Sequence, residues 1–179
     1  MLISGRGRNL QAFIDATRDG RIEADIALVV SNRADAAGLG LARDAGIPTR
    51  VIAHRDYPTR EAFDAQLIDA IAPLQPDLVL LAGFMRILTP SFIRAFEGRL
   101  LNIHPSLLPR YPGLDTHARA IAAGDAEHGA SVHLVTEELD GGSVLMQGAV
   151  PVLPDDDAAS LAERVMRDVE LRIYPQVVS

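Results

Sequence analysis

Short apolar runs alternate with segments of helical period from the first residues to Ile103, and this alternation constrains the fold more than any other feature of the chain. A run, a helix and a second run make a βαβ unit, because parallel strands need a crossover long enough to bring the chain back. Strands are predicted at Met1–Ile3, Ile26–Val30, Thr49–Ile52, Leu78–Ala82 and Leu100–Ile103. Helices are predicted at Leu10–Arg18, Ala36–Ala45, Glu61–Ala72 and Pro90–Phe96, each with apolar residues near a 3.6-residue period. Gly20 and Gly46 fall where helix C-termini take a left-handed residue.

After Gly113 the pattern changes. A helix at His117–Ala123 is followed by β-rich segments at Ala130–Val135 and Val144–Val152, with no helix between them to join them as parallel neighbours. They read as antiparallel additions to one edge, so a mixed, mostly parallel α/β sheet is expected. A last helix, about Ala158–Arg172, follows Asp155–Asp157, whose charge suits a helix N-terminus. No repeat, low-complexity segment or flexible linker divides the chain, so residues 1–179 are expected to form a single domain.

Composition narrows the class. With 48% hydrophobic residues and no apolar run longer than a buried strand, a globular protein without membrane association is expected. No signal peptide is read ahead of the first motif, and the cytoplasm is the default expectation. The chain has no Cys, which removes disulfides and thiolate metal sites, and no His/Asp/Glu grouping has metal spacing, so no metal is expected. A net charge of −7 argues against non-specific nucleic-acid binding, although Arg6 with Arg8 can still hold a small phosphate. The sequence leaves monomer and homodimer open.

The chemistry concentrates in Leu100–Gly113, LLNIHPSLLPRYPG. Asn102 and His104 are two apart, so on an extended backbone they leave the same face. Pro105 stops strand pairing, and Pro109, Pro112 and Gly113 shape the exit. A polar pair at a strand's carboxyl end is where open α/β sheets place ligand chemistry. His104 has the intrinsic acidity of a general acid or base. The glycine loop Ser4–Asn9 joins the first strand to the first helix, where free amides meet an anion. It lacks both the Walker lysine and the dinucleotide glycine spacing, and a simple tight turn is an equal reading.

SGRGRNLQ, SNRADAAGL, LAGFMRIL, NIHPSLLPRYPGLDTH and HGASVHLVTEELDGG together resemble the folate-dependent formyltransferases, over essentially the whole chain. The YPGLDTH continuation is similar to the branch acting on a glycinamide ribonucleotide. The resemblance implies the formyltransferase fold, a Rossmann-like domain with helices on both faces of the sheet. It implies transfer of a formyl group from 10-formyltetrahydrofolate, as co-substrate, to the ribonucleotide's amine in purine synthesis. Attack on the formyl carbon builds a tetrahedral species with oxyanion character, which needs donors placed in advance. The resemblance gives those roles to Asn102 and His104, with Asp140 raising the basicity of His104 and ordering a proton-relaying water. Taken alone, Asp140-Gly141-Gly142 is an ordinary turn.

The resemblance also assigns binding residues. Gly7, Arg8 and Asn9 would cradle the phosphate. Glu170 would meet the ribonucleotide at its ribose hydroxyls, where the plainer reading is a solvated helix face. Phe84, Met85, Arg86, Ile87 and Leu88 would form the pterin pocket, closed by Glu137, Glu138, Leu139 and Asp140. Arg60 would meet the folate tail, its plainer reading being a solvated helix residue. His54 and His128 read as surface residues, His133 as packed within a strand, and His117 as shaping the loop. Relatives carry more apolar residues before the first motif and a short tail after YPQVV, which implies that both ends of this sequence are short.

Other readings compete. A formyltetrahydrofolate hydrolase would use the same Asn, His and Asp with water as acceptor. A transformylase acting on tRNA would need an additional RNA-binding domain. A catalytically silent folate or phosphate binder would not need all of Asn102, His104 and Asp140.

Overall fold

A computed structural model describes residues 1–179. It contains β1 (Leu2–Ile3), α1 (Arg8–Arg18), β2 (Val29–Ser31), α2 (Gly38–Asp44), β3 (Thr49–Val51), α3 (Arg60–Ile71), β4 (Val79–Leu81), α4 (Pro90–Ala95) and β5 (Leu100–His104). These are followed by α5 (Thr116–Ala122), β6 (Glu127–Leu134), β7 (Val144–Pro151), α6 (Ala158–Val165) and α7 (Leu171–Val178). The seven strands make a mixed, mostly parallel sheet with helices around it. The chain folds as two compact units, Met1–Leu101 and Asn102–Ser179.

In the first unit the strand order is β3-β2-β1-β4. The registers Leu2↔Val30, Leu2↔Leu81 and Val29↔Thr49 are all parallel. β1, β2 and β4 are buried along their whole length, as parallel strands covered on both faces are, and their apolar runs follow from that. β2 starts later than its apolar run, because a strand exists only where neighbours pair with it: Val29 N–H bonds Pro48 O and Val30 N–H bonds Met1 O. Thr59 caps α3 by accepting from Ala62 N–H at 3.1 Å, and Thr89 caps α4 with Pro90 in its first turn. Gly20 and Gly46 follow α1 and α2 with φ of 74° each, the left-handed exit that the sequence implied.

In the second unit β6 and β7 pair antiparallel, from Glu127↔Pro151 to His133↔Val144, with a register shift between Val132 and His133. The final helix runs further than expected, to Val178, with Pro175 inside it. Asp157 and Ser160 form a reciprocal capping box at the start of α6. The buried residues Leu161, Val165, Val169 and Ile173 recur every four positions, slower than the α period. A π turn at Met166–Glu170 between α6 and α7 resets the phase and keeps them on one face. It also turns Glu170 inward.

Candidate active site

The carboxyl end of β5 delivers Asn102 and His104, and the chain then enters a loop tied down at many points. Ser106 Oγ donates to Arg110 O at 2.6 Å, and Thr116 Oγ1 to Pro105 O at 2.5 Å. Ser131 in β6 accepts from Leu108 N–H and donates to Ser106 O, while Gln147 in β7 reaches both Leu108 O and Ser131 Oγ. Tyr111 O–H donates to Asp125 at 2.6 Å, which raises the phenol's pKa, and Arg119 lies over the Tyr111 ring. The loop is thus a fixed wall beside the strand end.

His104 is 6% exposed and sits between two acceptors. Its Nε2 lies 2.8 Å from Tyr111 O, and its Nδ1 lies 3.4 Å from Asp140 Oδ2. A carbonyl and a carboxylate are both acceptors, so each can take an N–H from the ring. Asp140 takes a positive φ of 51°, tolerated by Asp because its short side chain bonds locally. Its Oδ2 also accepts from Gly113 N–H at 2.9 Å, which closes the loop from the other side. His104 and Asp140 are therefore brought together, and Asn102 lies two residues before His104 on β5.

A fourth side chain joins them. His133 Nε2 lies 3.4 Å from Asn102 Nδ2 and 3.7 Å from Asp140 Oδ1. The sequence reading had His133 packed in a strand, which is correct but incomplete; its place opposite Asn102 depends on how β5 and β6 lie, and no spacing reveals that. Burial lowers the pKa of His133, and that of His128, which is 1% exposed and not the surface residue expected. His128 packs edge-on against His117 with ring centroids 5.0 Å apart, inside the unit, because β6 is buried on both faces along most of its length. Glu170, 6% exposed in the π turn, is likewise no solvated helix residue.

The first unit carries its own polar cluster at the carboxyl ends of its strands. Ser4 Oγ donates to Asn32 Oδ1 at 2.6 Å and accepts from Met85 N–H at 2.9 Å. Asn32 Nδ2 donates to His54 Nδ1 at 3.2 Å, so His54 is half-buried rather than a surface residue. This cluster fixes the loop Phe84–Leu88, in which Met85 and Ile87 are 68% and 57% exposed while Leu88 is buried. The sequence reading missed Ser4 and Asn32 as its anchors. Gly7 caps α1 with φ 78° and lies against α2, where a Cβ would come within 2.7 Å of Gly38 Cα. Arg8 and Asn9 open α1, Arg6 is exposed, and Arg60 begins α3 on the surface. No group of three or more His, Asp or Glu is placed to hold a metal ion, and no helix is long and apolar enough to cross a membrane.

A family model described as formyl transferase matches residues 1–178. The chain belongs to the formyl transferase family. Formyl transferases take their one-carbon group from a folate-derived donor. The chain is 53% identical to a phosphoribosylglycinamide formyltransferase of Escherichia coli (strain K12), over 100% of this chain and 84% of that protein. It is 52% identical to the trifunctional purine biosynthetic protein adenosine-3 of Drosophila melanogaster, over 92% of this chain and 12% of that longer protein. The crystal structure of glycinamide ribonucleotide transformylase 1 from Symbiobacterium toebii superposes with a TM-score of 0.96 at 46% identity, covering 99% of this chain and 83% of that one.

Proposed function

We infer that the chain is a transferase that moves the formyl group of 10-formyltetrahydrofolate to the amine of glycinamide ribonucleotide, in purine biosynthesis. The observation that carries this reading is His104, buried at a strand end with Tyr111 O and Asp140 Oδ2 on its two ring nitrogens and Asn102 two residues before it. Exchanging the Tyr111 O contact turns the Nε2 side of this imidazole to the formyl oxygen, and the Asn102 amide beside it offers an N–H donor. Those are the groups a tetrahedral formyl intermediate needs as its oxygen gains charge.

Attack by the amine nitrogen on the formyl carbon forms the new C–N bond and pushes the carbonyl electrons onto oxygen. Asn102 and His104 stabilise that oxygen. The amine proton leaves and the folate nitrogen gains one as its C–N bond breaks, with Asp140 ordering the water that relays it. No covalent enzyme intermediate is needed.

The same reading assigns Gly7, Arg8 and Asn9 to the ribonucleotide phosphate, where the start of α1 presents free amides, and Glu170 to the ribonucleotide. It assigns Phe84–Leu88, Glu137–Asp140 and Arg60 to the folate. The exposed Met85 and Ile87 give that assignment apolar area to offer a heterocycle. It treats residues 1–179 as one formyltransferase domain working in the cytoplasm, without a metal.

The test is release of the deformylated folate by purified protein, with and without glycinamide ribonucleotide. Release that requires the ribonucleotide supports the transferase. Release in its absence makes the chain a hydrolase, and no release by a folded, folate-binding protein makes it a silent binder.

A further inference from the structure

The two nitrogens of the His133 ring face groups of opposite kind. Nδ1 lies 2.9 Å from the carbonyl oxygen of Leu134, which can only accept, so Nδ1 carries a proton. The ring is 2% exposed and burial lowers its pKa, which keeps it neutral near pH 7. Nε2 is then a bare lone pair. The atom facing it at 3.4 Å is Asn102 Nδ2, an N–H donor. Asp140 Oδ1, at 3.7 Å, is beyond hydrogen-bond reach and as a carboxylate has no proton to offer.

This fixes the Asn102 amide. Turned by 180°, the amide would set its carbonyl lone pairs against the lone pair of Nε2. With the nitrogen toward His133, one N–H is spent on the ring and the second remains for a ligand. We propose that His133 is a positioning residue for formyl transfer: as the Nδ1–H tautomer it holds the Asn102 amide with its second N–H free for the formyl oxygen as that atom gains charge. The proposal rests on the transferase reading given above.

The neutral ring matters to the neighbours as well. Asp140 and His104 are the titratable groups that act on His133. A proton on Nε2 would repel the Asn102 N–H and make the ring a donor to Asp140, drawing that carboxylate away from His104. The same four side chains therefore divide into a histidine between two acceptors, His104, and a histidine between an acceptor and a donor, His133. The first is arranged to give a proton, the second to orient an amide.

Two measurements test this. Nitrogen-15 NMR of histidine-labelled protein, with the His133 signals assigned by their loss in His133→Gln, is expected to show a protonated Nδ1 and a bare Nε2 at pH 7. An Nε2–H tautomer or a charged ring overturns the proposal whatever the activity. In kinetics, His133→Leu is expected to lower kcat by about 10²-fold, the scale of losing one oxyanion donor, with KM for the folate unchanged. His133→Gln, whose Oε1 can accept from Asn102, is expected to recover much of that loss. In an Asn102→Ala background His133→Leu should lower kcat no further. A loss of the same size in both backgrounds overturns the proposal and leaves His133 a packing residue. If folate release proves independent of the ribonucleotide, the transferase reading fails, while the same cycle measured on hydrolysis still decides the role of His133.

Discussion

His104 Nε2 lies 2.8 Å from the carbonyl oxygen of Tyr111, so the ring at the end of β5 is bonded to the loop that leaves that strand. Tyr111 in turn is anchored through its phenol to Asp125 and through its ring to Arg119. The loop therefore orients the imidazole, and the imidazole helps to hold the loop. Asp140 completes the arrangement, because one carboxylate oxygen serves both His104 Nδ1 and the N–H of Gly113. An imidazole whose position depends on two separate backbone segments is sensitive to either, which is the basis of the first two predictions.

Under the proposed function, replacing His104 with Ala removes a donor from the oxyanion, and it also removes the anchor of Tyr111 O. Turnover is expected to fall by about 10²- to 10³-fold. The fold should persist, since Ser106, Ser131, Gln147 and Thr116 still tie the loop. Steady-state kinetics alongside circular dichroism checks both halves. A variant that folds and keeps wild-type kcat would remove His104 from the chemistry.

Asp140→Asn separates charge from shape. An Asn oxygen can still accept from Gly113 N–H, so the loop should close as before, but the charge facing His104 Nδ1 is gone. Folate affinity, measured by calorimetric titration, is expected to stay near that of the wild type while turnover drops by about 10² or more, the scale of a misplaced catalytic group. Loss of folate binding with unchanged kcat at saturation would instead make Asp140 a binding residue alone.

The fold was legible from Met1 to Ile103, because buried parallel strands have to be apolar throughout and their crossovers have to be amphipathic. The candidate site was legible where it lies along one strand, as Asn102 and His104 do, and where the resemblance supplied Asp140. It was not legible where tertiary placement decides. His133 and His128 are two imidazoles of one strand, and both are buried because β6 is covered on both faces. The four-residue recurrence of Leu161, Val165, Val169 and Ile173 was visible, yet its consequence, a π turn that carries Glu170 inward, required the packing partner. Val169 Cγ1 would lie 2.6 Å from a Cβ on Gly148, so β7 leaves room for that turn only by having glycine there.

The paired rings of His117 and His128 give stability a pH dependence whose sign is fixed. Burial pushes His117 down to about 4 and lowers His128 as well, and the Nε2 atoms of both have no hydrogen-bond partner. An unfolded histidine titrates near 6.5, so between that value and about 4 the unfolded chain binds more protons than the folded one. Stability is therefore complete above pH 6.5 and falls as the pH is lowered through this window. Denaturant midpoints measured at pH 7 and pH 5 should drop in the wild type and drop less in His117→Gln. Equal drops in both proteins would show that the pair does not carry the effect.

The glycine loop offers a test of whether its shape or its flexibility matters. Gly7 combines a φ of 78° with a neighbour, Gly38 Cα, that a Cβ would approach to 2.7 Å, whereas a Cβ on Gly5 would meet nothing within 4 Å. Gly7→Ala thus meets both backbone strain and a backbone clash, and an expected loss of about 1–3 kcal/mol follows from a non-glycine residue forced into that conformation. Gly5→Ala should change stability by less than about 0.5 kcal/mol. The N-terminus of α1 begins at the next residue, so a shift of Gly7 away from Gly38 also moves the amides of Arg8 and Asn9. Under the proposed function, Gly7→Ala should raise KM for the ribonucleotide and leave the folate KM unchanged. Denaturant unfolding of the two variants with paired KM measurements decides the matter: a destabilised Gly7→Ala protein whose ribonucleotide KM is unaltered would mean that this loop holds the fold and not the phosphate.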